Sequence, residues 1–358
     1  MKIFGKEISK QELQQKTGDI SQLGGVRSYE LTDGVSRGVR AVDIKSPCGL
    51  EFTVLPGRGM DISSLSYKAV PITWRSATRE TSPAYYESRG IEWLRTFYGG
   101  LLTTCGLTTT GPPSVDNGEE LGLHGRIANI DAENVLADGC WEGDRYKMWI
   151  QGKVREARVF GDKLELSRKI ITWMDEPKII IEDTVENIGS VTSPLMVLYH
   201  VNVGFPVLDN GAELLEAKAK VIPRDDGAKA GQAVFNKFIE PVKGFKEQCY
   251  FHDIEADEDG NSNIAIVNKN FNNGEGIGIW MKFKKNTLPL MTQWKQMGMG
   301  EYVCGIEPCN SSVGGRKAER EKGTLKFIEP GESVDFRLEF NILKSNEDIN
   351  KFKKIFCK

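Results

Sequence analysis

Histidine is nearly absent from this chain, with three residues in 358. Imidazole is the side chain that titrates near neutral pH without perturbation, so proton chemistry has few places to reside. Cysteine occurs seven times, at Cys48, Cys105, Cys140, Cys249, Cys304, Cys309 and Cys357. Their odd number and the lack of any C-x-x-C pair exclude a disulfide framework and a zinc site of the usual spacing. They read as reduced thiols, most of them buried. No apolar run approaches the roughly 18 residues that a membrane helix needs, and the start, Met1-Lys2-Ile3-Phe4-Gly5-Lys6, lacks the apolar stretch of a signal peptide. The expected location is the cytoplasm, with no membrane partner. Charge of one sign is missing as well: 47 Lys and Arg offset 50 Asp and Glu, leaving −3. Without a basic stripe, nucleic acid is excluded as a partner. No phosphate loop, G-x-S-x-G or H-E-x-x-H is present, and the run Gly274-Glu275-Gly276-Ile277-Gly278 is no dinucleotide fingerprint.

What remains is strand after strand. Arg37 to Ile44 and Leu50 to Leu55 alternate polar and apolar residues, as half-buried strands do, and the second breaks at the turn Pro56-Gly57-Arg58-Gly59. Lys163–Trp173 and Lys178–Asn187 flank Asp175-Glu176-Pro177, a hairpin signature. A further strand runs from Leu195 to Gly204, and a last hairpin turns at Glu329-Pro330-Gly331-Glu332. The pattern predicts an all-β fold, a large antiparallel sandwich or barrel with minor helices. No repeat of 20–50 residues suggests a propeller. The expected organisation is an N-terminal arm (1–25), one β-sandwich domain (26–344) and a helical tail (345–358). The long segment 75–123 carries Tyr85, Tyr86, Trp93, Phe97 and Tyr98, too aromatic for disorder, and is expected to pack over the mouth of a site.

Three strings carry chemistry. In Leu198-Tyr199-His200-Val201-Asn202, alternation puts His200 and Asn202 on one strand face, either a polar concavity or a core histidine held by a neighbour. His124 precedes Gly125, so a ligand or another backbone can approach the ring closely; the bland alternative is a surface loop. Glu307, in Gly305-Ile306-Glu307-Pro308, ends an apolar strand, where a carboxylate is costly unless paired or used, although it could simply cap the next turn. His252, in Phe251-His252-Asp253, reads as a surface residue in a charged loop. Arg58 offers a guanidinium fork for substrate oxygens or a tie to Asp61. Gln293 and Trp294 offer an amide and an indole suited to sugar, with Trp294 as core the alternative. Arg126 is either a further substrate contact or a solvated side chain.

These strings, in this order, resemble aldose 1-epimerases. The carriers are Leu123-His124-Gly125, Asp183 through Gly189, Tyr199-His200-Val201-Asn202, Gly305-Ile306-Glu307-Pro308 and Pro330-Gly331-Glu332. Leu55 through Asp61 and Gly99 through Leu107 make the chain similar, more specifically, to the DUF4432 branch of the galactose mutarotase-like superfamily, over about residues 25 to 342. The resemblance implies a β-supersandwich whose concave face binds a small-molecule sugar; no cofactor or metal is expected, and a homodimer is allowed. It implies that Glu307 takes the C1 hydroxyl proton, His200 protonates the ring oxygen and His124 assists. Ring opening, rotation and reclosure then interconvert the anomers. The sequence departs from the family pattern at Tyr199-His200-Val201-Asn202-Val203-Gly204 and at His124-Gly125-Arg126, and no match for the sugar-holding aspartate is found. The same residues suit keto-sugar isomerisation or β-elimination of a glycoside. A non-catalytic sugar binder using Trp93, Trp294 and Arg58 is a further reading.

Overall fold

The computed structural model describes residues 1–357. Alternation sets the architecture. Along Arg145–Ala157, Met148, Ile150 and Val154 are buried while Lys153 and Arg155 face solvent, the period of two that a half-buried strand requires. This strand lies in an eight-stranded antiparallel sheet. The order is Glu133–Glu142, Arg145–Ala157, Lys163–Trp173, Glu176–Asn187, Ser333–Leu343, Ile277–Lys284, Asn261–Asn268 and Glu213–Glu216. Facing it is a six-stranded sheet, in the order Ala219–Pro223, Gln248–Ile254, Leu290–Met297, Tyr302–Cys309, Leu198–Val203 and Thr103–Cys105. A five-stranded sheet from Gly25–Glu30 to Val70–Pro71 extends the second layer, joined to it by bridges Ile62–Leu102 and Thr73–Val203.

The apolar core lies between the layers. Ile170, Ile181, Leu338 and Phe340 of the large sheet meet Tyr199, Val201, Cys304 and Ile306 of the six-stranded one, with Val42, Phe52 and Ile62 alongside. The alternation that buries Leu166 and Ile170 also turns Arg168 inward. Its guanidinium holds Asp183 through Nε (2.9 Å) and Nη2 (2.6 Å), and Asp61 through Nη1 (2.8 Å). Asp61 in turn accepts from the backbone N–H (2.8 Å) and hydroxyl (2.6 Å) of Thr104, and Tyr199 donates to Asp183 (2.8 Å). Because Asp61, Asp183 and Thr104 come from three different sheets, this knot fixes the layers in one register. Unpaired, each buried charge would be strongly destabilising.

The N-terminal segment forms a short hairpin and the helix Lys10–Gln14, and its Met1, Ile3 and Leu13 are buried in the main core. At the other end, Ser345 caps the helix Asn346–Phe356, whose Ile349 and Phe352 cover Leu343 and Trp280. Two short helices, Asp226–Gly231 and Arg316–Glu321, were not expected. Among the described residues no helix is long and apolar enough to cross a membrane.

Candidate active site

In the strand Tyr302–Cys309, Cys304 and Ile306 face the core, so Gly305 and Glu307 face the outer, concave side of the six-stranded sheet. One neighbouring strand sets Thr292 opposite Glu307 and Trp294 opposite Gly305. The other, Leu198–Val203, brings His200 Nε2 to 3.3 Å from Glu307 Oε1. That contact is not aligned as a hydrogen bond, and Glu307 Oε1 and His200 Nδ1 are both buried without a partner. Such groups are costly to keep, which marks them as candidates for work on a ligand. Glycine at 305 leaves room for this placement of the carboxyl: a Cβ would overlap Glu307 Oε1 and press on Trp294.

His124 arrives from a loop. It has φ 57°, and Gly125 follows at φ 76°, packed so closely on the carbonyls of Gly106 and Thr109 that a Cβ has no room. The backbone of His124 donates to Gly111 O (3.0 Å), while Gly111 N–H donates to its Nδ1 (3.3 Å). An acceptor Nδ1 leaves the hydrogen of the neutral ring on Nε2. The His124 and His200 rings meet edge to face, 5.9 Å between centroids.

These three side chains line a cavity of about 750 Å³, ample for a small-molecule ligand. Its walls are aromatic: Trp93 stacks on Phe97 (4.6 Å), Phe97 packs on His200 (4.9 Å), and Trp294 closes on Trp74 (6.2 Å) and His200 (5.4 Å). Ser76, Thr78 and Thr292 add hydroxyls. At the rim, Arg224 is occupied by Asp225 (2.8 Å) and Glu247 (3.0 Å), and Glu247 accepts the Trp294 indole N–H (2.8 Å). Burial pushes the Glu307 carboxyl well above its usual range, Glu247 adds to this and Arg224 opposes it. Burial also lowers His200 to about 3, with His124 contributing, and His124 to about 4. Burial thus favours the uncharged form of all three ligand-facing groups.

The structure thus brings together Glu307, His200, His124 and Trp294, and sets segment 75–123 over them through Trp93, Leu94 and Phe97. Other expected contacts lie elsewhere. Arg58 is 1 % exposed and donates to the carbonyls of Ala128 (2.8 Å), Thr81 (2.5 Å) and Thr96 (2.9 Å); neither substrate nor Asp61 is its partner. Asn202 is buried, its amide donating to Gly100 O and His200 O. Gln293 precedes Trp294 in a strand and so points to the opposite face, where it donates to Phe235 O and meets His252. His252, expected on the surface, is 0 % exposed in the strand Gln248–Ile254, held by Glu216 (2.9 Å) and Gln293 (3.2 Å). Arg126 is exposed and lines a separate cavity. The sequence reading passed over Thr292, Trp74, Arg224 and Glu247. Thr292 alone carried a signal, since it shares the alternation that exposes Trp294. Of the cysteines, Cys105, Cys249, Cys304 and Cys309 are buried, Cys140 is exposed, and all are free.

Two facing antiparallel layers with a concave, histidine- and carboxylate-bearing sheet define a galactose mutarotase-like β-supersandwich. The chain belongs to the DUF4432 family, a domain of unknown function, whose model matches residues 36–342. Among solved structures it is similar to a Klebsiella pneumoniae protein provisionally named an aldose 1-epimerase, with 25% identity and a TM-score of 0.87 over 97% of this chain and 89% of that one. A galactose mutarotase-like protein from Clostridium acetobutylicum has 13% identity and a TM-score of 0.58, over 90% of this chain and 99% of that one. The galactose 1-epimerase of Lactobacillus acidophilus has 10% identity and a TM-score of 0.52, also over 90% and 99%. These last two show a shared fold. No curated protein sequence gives a significant match.

Proposed function

We propose that this protein is a carbohydrate epimerase that interconverts the anomers of an aldose, with Glu307 and His200 exchanging protons with the sugar and His124 holding or assisting it. The observation that carries the reading is the 3.3 Å approach of His200 to Glu307 at the floor of an aromatic-walled cavity. Anomer exchange needs one proton removed from the C1 hydroxyl and one delivered to the ring oxygen, and the reverse on reclosure. The pair holds one mobile proton between two groups. With it on His200, Glu307 is the base and His200 the acid in ring opening, which leaves the proton on Glu307 and sets the opposite assignment for reclosure. Since reclosure reverses ring opening, both assignments belong to one cycle. Trp294, Trp93 and Phe97 suit the apolar C–H faces of a sugar ring, and Thr292, Ser76 and Thr78 its hydroxyls.

Saturation-transfer NMR between α and β anomers across an aldose panel tests the proposal. Wild-type protein accelerates exchange of at least one sugar, and Glu307→Gln lowers that rate by about 10²-fold or more. Equal rates for both proteins on every sugar would refute it. Deuterium wash-in separates anomer exchange from keto-sugar isomerisation or β-elimination, because only those break carbon–hydrogen bonds.

A further inference from the structure

His124 sits in a loop without regular secondary structure, and something must hold it. Against that loop lies a second cavity of about 220 Å³ lined by Gly122, Gly125 and Glu156 among others. Glu156 is half-buried near the end of the strand Arg145–Ala157. Its Oε2 accepts from Leu107 N–H (2.9 Å) and its Oε1 from the Thr108 hydroxyl (3.2 Å). The adjoining Gly106 is zipped to the histidine loop: its N–H donates to His124 O (3.0 Å), and its carbonyl accepts from Arg126 N–H (3.1 Å) and Ile127 N–H (3.2 Å). Gly125 seals the join, since a Cβ there would run into Gly106 O and Thr109 O.

We propose that Glu156 is a positioning residue for His124, clamping segment 106–108 so that the loop it carries holds the imidazole at the sugar cavity. The inference rests on the proposed function only for what His124 does there; the clamp itself is a matter of geometry. It also makes the loop sensitive to pH near neutrality. Burial pushes the Glu156 carboxyl up to about 7 against its two hydrogen bonds and Arg126, with Asp162 adding to the rise. The other titratable groups on this cavity are Tyr86, Glu119, Glu120 and Arg158, and Arg158 pairs with Glu119 (2.9 Å). The ionised carboxylate accepts both bonds. Protonation turns one oxygen into a donor, so the Thr108 bond must reverse or the Leu107 bond be lost, and the clamp is firmer above neutrality than below it.

The scarcity of histidine makes this readable. In protein labelled with ¹⁵N-histidine, three rings give three pairs of nitrogen signals, assigned with single His→Gln variants. In the wild type, His124 should show well-separated nitrogens, with hydrogen on Nε2, and should inflect near pH 7 without the shift of ring protonation. Glu156→Leu removes both acceptors and should cut the separation of the His124 nitrogens at least twofold, leaving His252 unchanged. Glu156→Gln, which fills the same space and keeps one carbonyl, should abolish the inflection. If all three rings move together in the Leu variant, its fold is damaged and the Gln variant decides. A His124 that retains its nitrogen separation in the Leu variant, or its inflection in the Gln variant, overturns the proposal. In exchange assays the Gln variant should lower kcat about fivefold with KM nearly unchanged. Unchanged kcat with altered ring signals would leave the clamp standing and count against His124 in the reaction.

Discussion

Glu307 depends on its neighbour two positions earlier. Gly305 shares its strand face, and only the absence of a Cβ leaves room for the carboxyl to lie against His200. A flexible carboxylate can swing away, so Gly305→Ala should cost little stability while displacing the reacting group. Misplacement of about 1 Å can cost on the order of 10²-fold, and that is the loss expected in anomer exchange. Thermal unfolding within a few degrees of wild type, measured beside the rate, is part of the prediction; a fully active variant would show that the carboxyl works from another position. Among the site groups, His200, His124 and Glu307 stood out in the sequence for being chemically distinctive in patterned strings. Trp74 did not, because an indole gains meaning only from what it faces, and Thr292 was marked only by sharing a strand face with Trp294.

At the scale of the element, the segment from Arg75 to Leu123 is the piece the sequence marked as a long loop and the structure places as the cavity roof. It contains only short turns, such as Glu92–Thr96, and short strands. Its fixed shape comes from beneath. Arg58 ties it through the carbonyls of Thr81 and Thr96 and joins both to Ala128, with its guanidinium 5.1 Å from the Tyr98 ring. Replacing Arg58 by Leu strands three buried carbonyls, at about 1 kcal/mol or more each, so urea unfolding should report a loss of about 3 kcal/mol. Limited proteolysis should move to residues 82–96. Lysine restores the charge but not the fork, and is expected to recover about half. Unchanged stability in Arg58→Leu would mean that the roof is held by its aromatic packing alone. An arginine in a glycine-flanked turn looked like a ligand fork because the sequence shows its donors but not the distant carbonyls that use them.

For the molecule as a whole, placing the site groups in a buried position links their protonation to stability. His200 is lowered from 6.5 to about 3, so the folded state keeps it neutral while the unfolded chain charges it below about pH 6.5. Its contribution is complete above that value and is lost as pH falls through the window between 6.5 and 3. Glu307, raised by burial, runs the other way: its contribution is present below the unfolded value of 4.5 and is lost as pH rises through its folded value. Comparing wild type with His200→Gln isolates the first effect. The stability difference should shift against wild type by up to about 1.4 kcal/mol per pH unit between 6.5 and 4, measured by urea unfolding at each pH. A difference independent of pH would place His200 in a wetter environment than the cavity floor.

Sequence by itself determined the strands, because a period of two is local: Leu50–Leu55 and Lys163–Trp173 stand where the sequence put them, and the strand expected from Lys178 to Asn187 begins two residues earlier, at Glu176. It also marked His124, His200 and Glu307, since few other residues can carry protons near neutral pH. Which face of a strand is wet was decided only by tertiary packing. Gln293 and Trp294 differ by one position and therefore lie on opposite sides of the sheet, one bonded to His252 and the other walling the cavity. His252 looked exposed from its charged neighbours, yet Glu216 and Gln293, 36 and 41 residues away, make its burial tolerable. The meeting of His200 with Glu307 was likewise settled by strand pairing across more than a hundred residues, a register that local pattern does not encode and that the buried Arg168 knot helps to hold.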